Sequence, residues 1–320
     1  MKTLKKFAHI NAKSIDEAVA ALRKGHASMM AGGTDLLGTM RFEILPDYPD
    51  AVVNLKSIPG LAYIKEEGGM LRIGALTRLE DISRNDVVKT KYAALAQAAS
   101  RVATPHVREM GTLGGNICQL TRCWYFRKED NRFFCFRKGG PACYAVAGDN
   151  RFHSIFGAVK SCVAVNPSDT APALVALNAK IKTNARIIEA EKFWDLAMPG
   201  STILAADEIV TEIQIPTPSA DTRSSFIKFA IRKSIDFPIV NCAAAVSGGS
   251  FRICLNAVHN RPYRAIKAED AMKGKPIDAA SADAAGAAAI ADARALPGER
   301  NKWKVQIART MVKRAILGCA

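Results

Sequence analysis

The sequence predicts an α+β protein built from two domains. Over roughly the first 215 residues, short apolar runs typical of strands alternate with segments of helical periodicity. From residue 226 onward, three strand-like runs are followed by three helical segments. Residues 216–222, rich in Pro, Ser and Thr, separate the two patterns and are typical of a linker.

Local signals mark the elements of the first region. Residues 14–17 (Ser-Ile-Asp-Glu) are typical of a capping box that starts a helix, and Gly25 is placed to end that helix. Residues 77–80 (Thr-Arg-Leu-Glu) predict a second capping box. An alanine-rich helix is predicted over residues 92–103, ending before Pro105. Strands are predicted at residues 28–31, 50–55, 71–75 and 209–215.

The second region predicts a small α+β domain. Its strands are expected at residues 226–231, 239–247 and 251–258, with Gly248-Gly249 as the hairpin turn between the last two. Helices are expected at residues 264–273 and 279–294. A last helix is expected to carry Trp303, Ile307, Met311 and Ala315 on one face.

Composition narrows the class of protein. Hydrophobic residues make up 49% of the chain and charged residues 23%, and no apolar run reaches the roughly 18 residues that a membrane span needs. The basic N-terminus lacks the apolar core of a signal peptide, so we expect a cytoplasmic protein that does not contact a membrane. The net charge of +15 is dispersed, which favours docking on acidic partner subunits over binding to nucleic acid.

Two glycine turns are candidate anion sites. Residues 29–40 (MMAGGTDLLGTM) place Gly-Gly-Thr-Asp directly after a predicted strand, and residues 111–117 (GTLGGNI) form a similar turn. Glycines permit positive φ and close approach of the backbone, and successive N–H groups in such a turn can surround an anion. A pyrophosphate is the natural guest, although neither turn has the spacing of a Walker A or a Gly-x-Gly-x-x-Gly motif.

These turns also carry a resemblance to a known family. Residues 31–37 (AGGTDLL) and 112–116 (TLGGN) closely resemble, in order and separation, the two FAD-binding signatures of the flavoprotein (medium) subunits of molybdenum hydroxylases. Relatives in that family include the xanthine dehydrogenase FAD domain and the carbon monoxide dehydrogenase flavoprotein. Residues 166–174 (NPSDTAPAL) and 226–234 (FIKFAIRKS) fit the same family, so the resemblance spans essentially the whole chain.

The resemblance implies the fold and the FAD contacts. It implies a PCMH/VAO-like FAD-binding domain over residues 1–216, with subdomains at about 1–56 and 57–216, and a small α+β domain like that of the carbon monoxide dehydrogenase flavoprotein over 223–320. Taken alone, Asp169 is also typical of a helix cap and Lys228 of a solvated strand residue. The implied FAD contacts are Met29, Met30, Ala31, Gly32, Gly33, Thr34, Asp35, Leu36, Thr112, Leu113, Gly114, Gly115, Asn116, Asp169 and Lys228.

A cysteine-rich stretch interrupts the first domain. Five of the eight cysteines lie between residues 118 and 162, and residues 119–160 show no periodic pattern. A loop of that length needs something other than a core to order it. Clustered cysteines in a protein without an export signal favour metal binding or redox chemistry over disulfides. Cys242 and Cys254 lie in apolar strands and are expected to be core residues.

Residues 119–160 resemble an insert that holds a [4Fe–4S] cluster. Such an insert occurs in the β subunit of 4-hydroxybenzoyl-CoA reductase and in the flavin subunit of certain bacterial aldehyde oxidoreductases. The resemblance implies Cys123, Cys135 and Cys143 as ligands, with Cys162 preferred as the fourth. His153 and Cys118 remain alternative fourth ligands. Basic residues near these thiolates are expected to raise the cluster's reduction potential; they are Arg122, Arg127, Lys128, Arg132, Arg137 and Lys138.

The resemblance implies an electron-transfer subunit without catalytic residues of its own. FAD and the [4Fe–4S] cluster would sit on this chain, with a molybdopterin-binding large subunit and a [2Fe–2S] small subunit as partners in a dimer of heterotrimers. A ferredoxin-like carrier would be a further partner. Two other hypotheses are a stand-alone FAD-dependent oxidoreductase, and a zinc-bearing nucleic-acid-binding protein, which leaves both glycine turns unexplained.

Overall fold

The N-terminal unit is a small parallel sheet. In the computed structural model, which describes residues 2–195 and 200–320, the three strands pair in the order β1-β3-β2. Ser14 is the N-cap of the helix between β1 and β2, and its side chain accepts the N–H of Glu17 at 3.1 Å. The predicted start of this helix is therefore confirmed. The elements are β1 (Ala8–Asn11), α1 (Ile15–Arg23), β2 (Ala27–Met30), α2 (Leu36–Arg41) and β3 (Ala51–Asn54).

The second unit is a five-stranded antiparallel sheet covered by helices. The strands run in the order β4-β5-β8-β6-β7, and Ile73, Ile181 and Ile213 lie in its buried core. The strands are β4 (Ile64–Glu67), β5 (Met70–Gly74), β6 (Lys180–Thr183), β7 (Ile187–Glu189) and β8 (Val210–Pro216). The helices are α3 (Leu79–Arg84), α4 (Asp86–Lys91), α5 (Ala93–Ser100), α6 (Pro105–Arg108), α7 (Leu113–Cys118), α8 (Tyr144–Ala147) and α9 (Thr170–Ala176).

The C-terminal unit packs three helices on a four-stranded antiparallel sheet. Ser247 pairs with Ser250 across a turn in which Gly248 and Gly249 have φ of +53° and +74°, as a two-residue hairpin of this hand requires. The elements are β9 (Arg223–Phe229), β10 (Val240–Ser247), β11 (Ser250–Asn256), β12 (Tyr263–Arg264), α10 (Ile266–Met272), α11 (Ala279–Ala289) and α12 (Lys302–Leu317). Among the helices of residues 2–195 and 200–320, none is long and apolar enough to cross a membrane.

Residues 119–160 contain little regular structure, as their sequence predicts. Besides α8 they form one 3₁₀ turn (Phe136–Lys138). The C-terminal unit anchors the segment, because the Lys304 ammonium donates to the carbonyl oxygens of Phe152 (2.8 Å) and His153 (3.0 Å). The Asn301 amide donates to the Ser154 carbonyl at 2.8 Å. These polar contacts hold the insert to the C-terminal unit, and a small apolar cluster of Phe126 and Cys135 with Ile44 adds a core of its own.

Three local predictions differ from the structure in whole or in part. The Thr77 hydroxyl bonds to the backbone of Tyr63, and α3 starts two residues later without a side-chain cap. The predicted helix over residues 92–103 is present but shorter, because α5 ends at Ser100; Thr104 is the N-cap of the separate helix α6. On α12, Met311 and Ala315 are buried as predicted, but Trp303 is 40% exposed and Lys304 is fully buried instead.

Candidate functional site

The first glycine turn follows β2 and leads into α2. Gly33 has φ of +73°, and its carbonyl accepts the N–H of Leu37 at 3.1 Å. At Gly32 the backbone comes so close to the second turn that a Cβ would lie 2.0 Å from the carbonyl oxygen of Met110. Glycine is therefore required at position 32 by contact between the two turns, and at position 33 by its positive φ.

The second glycine turn is the start of α7. Thr112 is its N-cap, and the Thr112 hydroxyl accepts the N–H of Gly115 at 3.1 Å. The N–H of Gly114 donates to the carbonyl of Ala75 at 2.8 Å, and a Cβ on Gly114 would lie 2.9 Å from that oxygen. This glycine lets α7 begin directly against the end of β5.

Both turns line one cleft of ≈ 480 Å³. Residues from the insert and from the 235–237 segment complete its wall, and sequence reasoning missed them because no local pattern marks them; they include Gln119, Leu120, Arg122, Ile235 and Phe237. The predicted FAD contacts that line the cleft are Met29, Ala31, Gly32, Gly33, Thr34, Asp35, Leu36, Thr112, Gly114, Gly115 and Asn116. Met30, Leu113, Asp169 and Lys228 do not line it.

Asp35 joins the first turn to the insert. Its carboxylate lies 2.9 Å from a guanidinium nitrogen of Arg122 and 2.8 Å from one of Arg127, and it accepts the N–H of Leu120 at 2.9 Å. The Arg122 guanidinium also stacks on Phe237, at 4.4 Å from the ring centroid. One carboxylate therefore fixes the start of the cysteine-rich segment against the cleft.

Asp169 and Lys228 form a buried ion pair behind the second turn. The Lys228 ammonium lies 2.6 Å from the Asp169 carboxylate, and both side chains are 4% exposed. The Asn241 amide donates to the other carboxylate oxygen at 2.8 Å. Burial raises the pKa of Asp169, and Lys228 opposes that rise. Asp169 stands at the N-cap position of α9 without capping it by its side chain.

The side-chain amide of Asn116 connects this region to the second turn. Its oxygen accepts hydrogen bonds from the hydroxyls of Ser168 (2.6 Å) and Thr170 (2.7 Å). Asp169 lies between these two residues in the chain, so the Asn116 hydrogen bonds tie the segment that carries the ion pair to the second turn. A role of Asp169 and Lys228 in contacting FAD stays a prediction.

Cys123, Cys135, Cys143 and Cys162 line one pocket. A β-bridge between Cys135 and Ala142 brings Cys143 beside Cys135, and a tight turn at 159–162 presents Cys162. The pocket is closed to ≈ 10 Å³, about the space of one water molecule. Within residues 2–195 and 200–320, no three His, Cys, Asp or Glu side chains are grouped so that they could hold a metal ion.

The two alternative fourth ligands lie in different places. Cys118 lines the glycine cleft and does not line the cysteine pocket. His153 does not line the cysteine pocket either, but its Nε2 lies 3.2 Å from the Sγ of Cys123. Burial lowers the pKa of His153 to about 4, so the ring is neutral at pH 7.

The environment of the pocket favours a thiolate at Cys162. The Cys143 thiol and the Arg137 guanidinium lower the pKa of Cys162 against the effect of burial, and Arg137 Nε lies 3.3 Å from its sulfur. Burial raises the pKa of Cys123 to about 11 and lowers that of the neighbouring Lys138. Thiolates are the form in which cysteine binds metals.

Comparison with known proteins defines the class. A model of the FAD binding domain in molybdopterin dehydrogenase matches residues 5–218, and one of the CO dehydrogenase flavoprotein C-terminal domain matches residues 225–319. The chain therefore belongs to the FAD-binding medium subunits of the molybdenum hydroxylase family, which are subunits of oxidoreductases. The predicted fold class and family are confirmed, and membership accounts for the glycine turns that the zinc hypothesis left unexplained.

Individual relatives are similar along most of their length. The aldehyde oxidoreductase FAD-binding subunit PaoB of Escherichia coli strain K12 is 32% identical over 309 residues, 92% of each chain. The carbon monoxide dehydrogenase medium chain of Hydrogenophaga pseudoflava is 28% identical over 319 residues, 95% of this chain and 93% of the relative. A solved structure of carbon monoxide dehydrogenase from that organism, lacking the Mo-pyranopterin moiety, superposes with a TM-score of 0.77 at 27% identity, covering 99% of this chain and 98% of the other.

Proposed function

We propose that this chain is the FAD- and [4Fe–4S]-carrying electron-transfer subunit of a molybdenum hydroxylase-type complex. It carries electrons between molybdenum and [2Fe–2S] partner subunits and an external carrier. The observation that carries the proposal beyond the family is the convergence of Cys123, Cys135, Cys143 and Cys162 on one pocket. Four cysteine thiolates are the usual ligand set of a [4Fe–4S] cluster.

The cleft between the glycine turns fits FAD. Its wall combines close-packed backbone at Gly32, Gly33, Gly114 and Gly115 with apolar side chains, which suits a diphosphate beside an aromatic ring. Arg122 lines the same cleft, and its buried Nε has no hydrogen-bond partner among the described residues. Bound FAD supplies the conversion between two-electron and one-electron transfer.

The positive charge beside the cysteine pocket favours a negatively charged iron–sulfur cluster. Arg137 and Lys138 are buried beside it, each only 5% exposed. The buried Lys138 ammonium has no hydrogen-bond partner in the described part of the chain. Buried unpaired cations are costly, and a four-thiolate cluster provides the compensating negative charge. The four thiolates would hold the cluster, which supplies one-electron transfer.

The names of the relatives support the presence of partner subunits. Several of these are called medium chains or FAD subunits, which supports a chain that works in a larger enzyme. We propose a molybdopterin-binding large subunit and a [2Fe–2S] small subunit, assembled as a dimer of heterotrimers in the cytoplasm. A ferredoxin-like protein is the proposed external carrier.

Anaerobic purification of the chain from its own cells tests this function. The expected result is co-purification of two further chains, with molybdenum and FAD in equal amounts and more iron than paired [2Fe–2S] clusters contain. Iron that is fully accounted for by [2Fe–2S] clusters would contradict the [4Fe–4S] assignment. A flavin-bearing chain that purifies alone and oxidises substrate would favour the stand-alone oxidoreductase.

A further inference from the structure

We propose that Arg137 and Lys138 set the reduction potential of the cysteine pocket by stabilising the electron that its cluster takes up. This inference rests on the proposed function, because it requires a cluster bound to the four thiolates. Among the basic residues of the insert, we assign the effect on the reduction potential to Arg137 and Lys138 alone.

Arg137 is tied directly to one cysteine. Its Nε donates to the sulfur of Cys162 at 3.3 Å, and an Nη donates to the side-chain oxygen of Asn260. The other Nη donates to the Gly200 carbonyl and the Ser201 hydroxyl, both at 3.1 Å. These partners are neutral, apart from the cysteine, and no carboxylate contacts Arg137 in the described part of the chain. Within the described residues, no carboxylate therefore offsets the positive charge of Arg137 at the pocket.

Lys138 lies next to the pocket without lining it. Its ammonium lies over the ring of Phe126, 5.3 Å from the centroid, and interacts electrostatically with Cys135 and Cys123. Among residues 2–195 and 200–320, no carboxylate pairs with it and its Nζ has no hydrogen-bond partner. Phe126 and Cys135 belong to the small apolar cluster of the insert, so little solvent screens this charge.

The other basic residues of the insert are exposed or already paired. Lys128 and Arg132 are exposed, and solvent screens their charges. Arg122 and Arg127 share the carboxylate of Asp35. Arg137 and Lys138 therefore form a buried, uncompensated pair of charges on the pocket.

The physical consequence is a raised reduction potential. A four-thiolate [4Fe–4S] centre is negatively charged and gains one more negative charge when it takes up an electron. A nearby buried cation stabilises the more negative form, and an N–H···S hydrogen bond acts in the same direction. Neutralising either residue must therefore shift the one-electron equilibrium toward the oxidised cluster.

The test is a redox titration of the full chain, prepared anaerobically and followed by electron paramagnetic resonance of the reduced cluster. Lys138→Met and Arg137→Gln are each expected to shift the equilibrium at least tenfold toward the oxidised form, a potential lower by about 59 mV. Lys138→Arg is expected to keep the wild-type potential. The matched controls Lys128→Met and Arg132→Gln remove the same charge from exposed positions and are expected to leave the potential in place.

The outcomes separate this inference from the proposed function. A wild-type chain without iron and sulfide contradicts the proposed function itself. If Lys138→Met and Arg137→Gln keep a full cluster at the wild-type reduction potential, only the assignment to Arg137 and Lys138 is overturned. If the neutral variants lose their iron, retention of iron by Lys138→Arg and Arg137→Lys supports the charge effect. Equal loss of iron from those charge-retaining variants overturns it.

Discussion

Cys135→Ser is expected to abolish iron and sulfide binding while leaving FAD bound. Cys135 is 9% exposed, lines the cysteine pocket and packs with Phe126 at the base of the insert. A [4Fe–4S] cluster usually needs four thiolates, so iron should drop from about four per chain to background. Cys135 does not line the glycine cleft, so the flavin content should stay at the wild-type level. Iron, sulfide and flavin analysis of anaerobically prepared protein measures both effects.

The same experiment on other cysteines tests the choice of ligands. Cys123→Ser, Cys143→Ser and Cys162→Ser are expected to behave like Cys135→Ser. Cys118→Ser is the matched control, because Cys118 lines the glycine cleft. This variant should retain all of its iron. Full iron in Cys162→Ser would show that another residue is the fourth ligand. Full iron in Cys135→Ser would contradict the cysteine pocket as the cluster site.

Gly32→Ala is expected to abolish FAD binding. The added methyl would lie 2.0 Å from the carbonyl oxygen of Met110 and 2.8 Å from its carbonyl carbon, far inside van der Waals contact, and the obstacle is backbone that cannot rotate away. Separating the two turns opens the cleft that they share, at a cost in stability of roughly 1–3 kcal/mol. Flavin per purified chain and fluorescence titration of the apoprotein with FAD measure the loss.

Gly38→Ala is the matched control for this substitution. It adds the same methyl six residues later, inside α2, where no atom among the described residues lies within 4 Å of the new Cβ. Alanine is favoured over glycine within a helix by roughly 1 kcal/mol, so the control should bind FAD and melt at an equal or higher temperature. Wild-type FAD affinity in Gly32→Ala would refute the close contact of the two turns.

Features encoded in a few neighbouring residues were predictable from the sequence. The capping of α1 by Ser14, the Gly248-Gly249 hairpin and both glycine turns depend on local backbone preferences, which sequence patterns report directly. The grouping of Cys162 with the other three cysteines was predicted from the family resemblance. The four line one pocket, although the cluster itself stays a prediction.

Features that depend on distant contacts were missed. Asp35 was predicted as an FAD contact, and its ion pairs with Arg122 and Arg127, from a segment more than 80 residues away, were not foreseen. Lys304 is buried on α12 because its ammonium binds backbone carbonyls of the insert, which a periodicity of apolar residues cannot reveal. Thr77 fails as a cap because the backbone of Tyr63 competes for its hydroxyl.

The most direct measurement is the amount of flavin, iron and acid-labile sulfide per chain in wild-type protein purified without oxygen. A diphosphate cleft beside a four-cysteine pocket predicts one FAD with about four iron and about four sulfide on this chain after its separation from any partner. Protein that carries FAD without iron and sulfide would contradict the cysteine pocket as a cluster site. Protein that carries no FAD, iron or sulfide would contradict both the glycine cleft as the FAD site and the cysteine pocket as the cluster site.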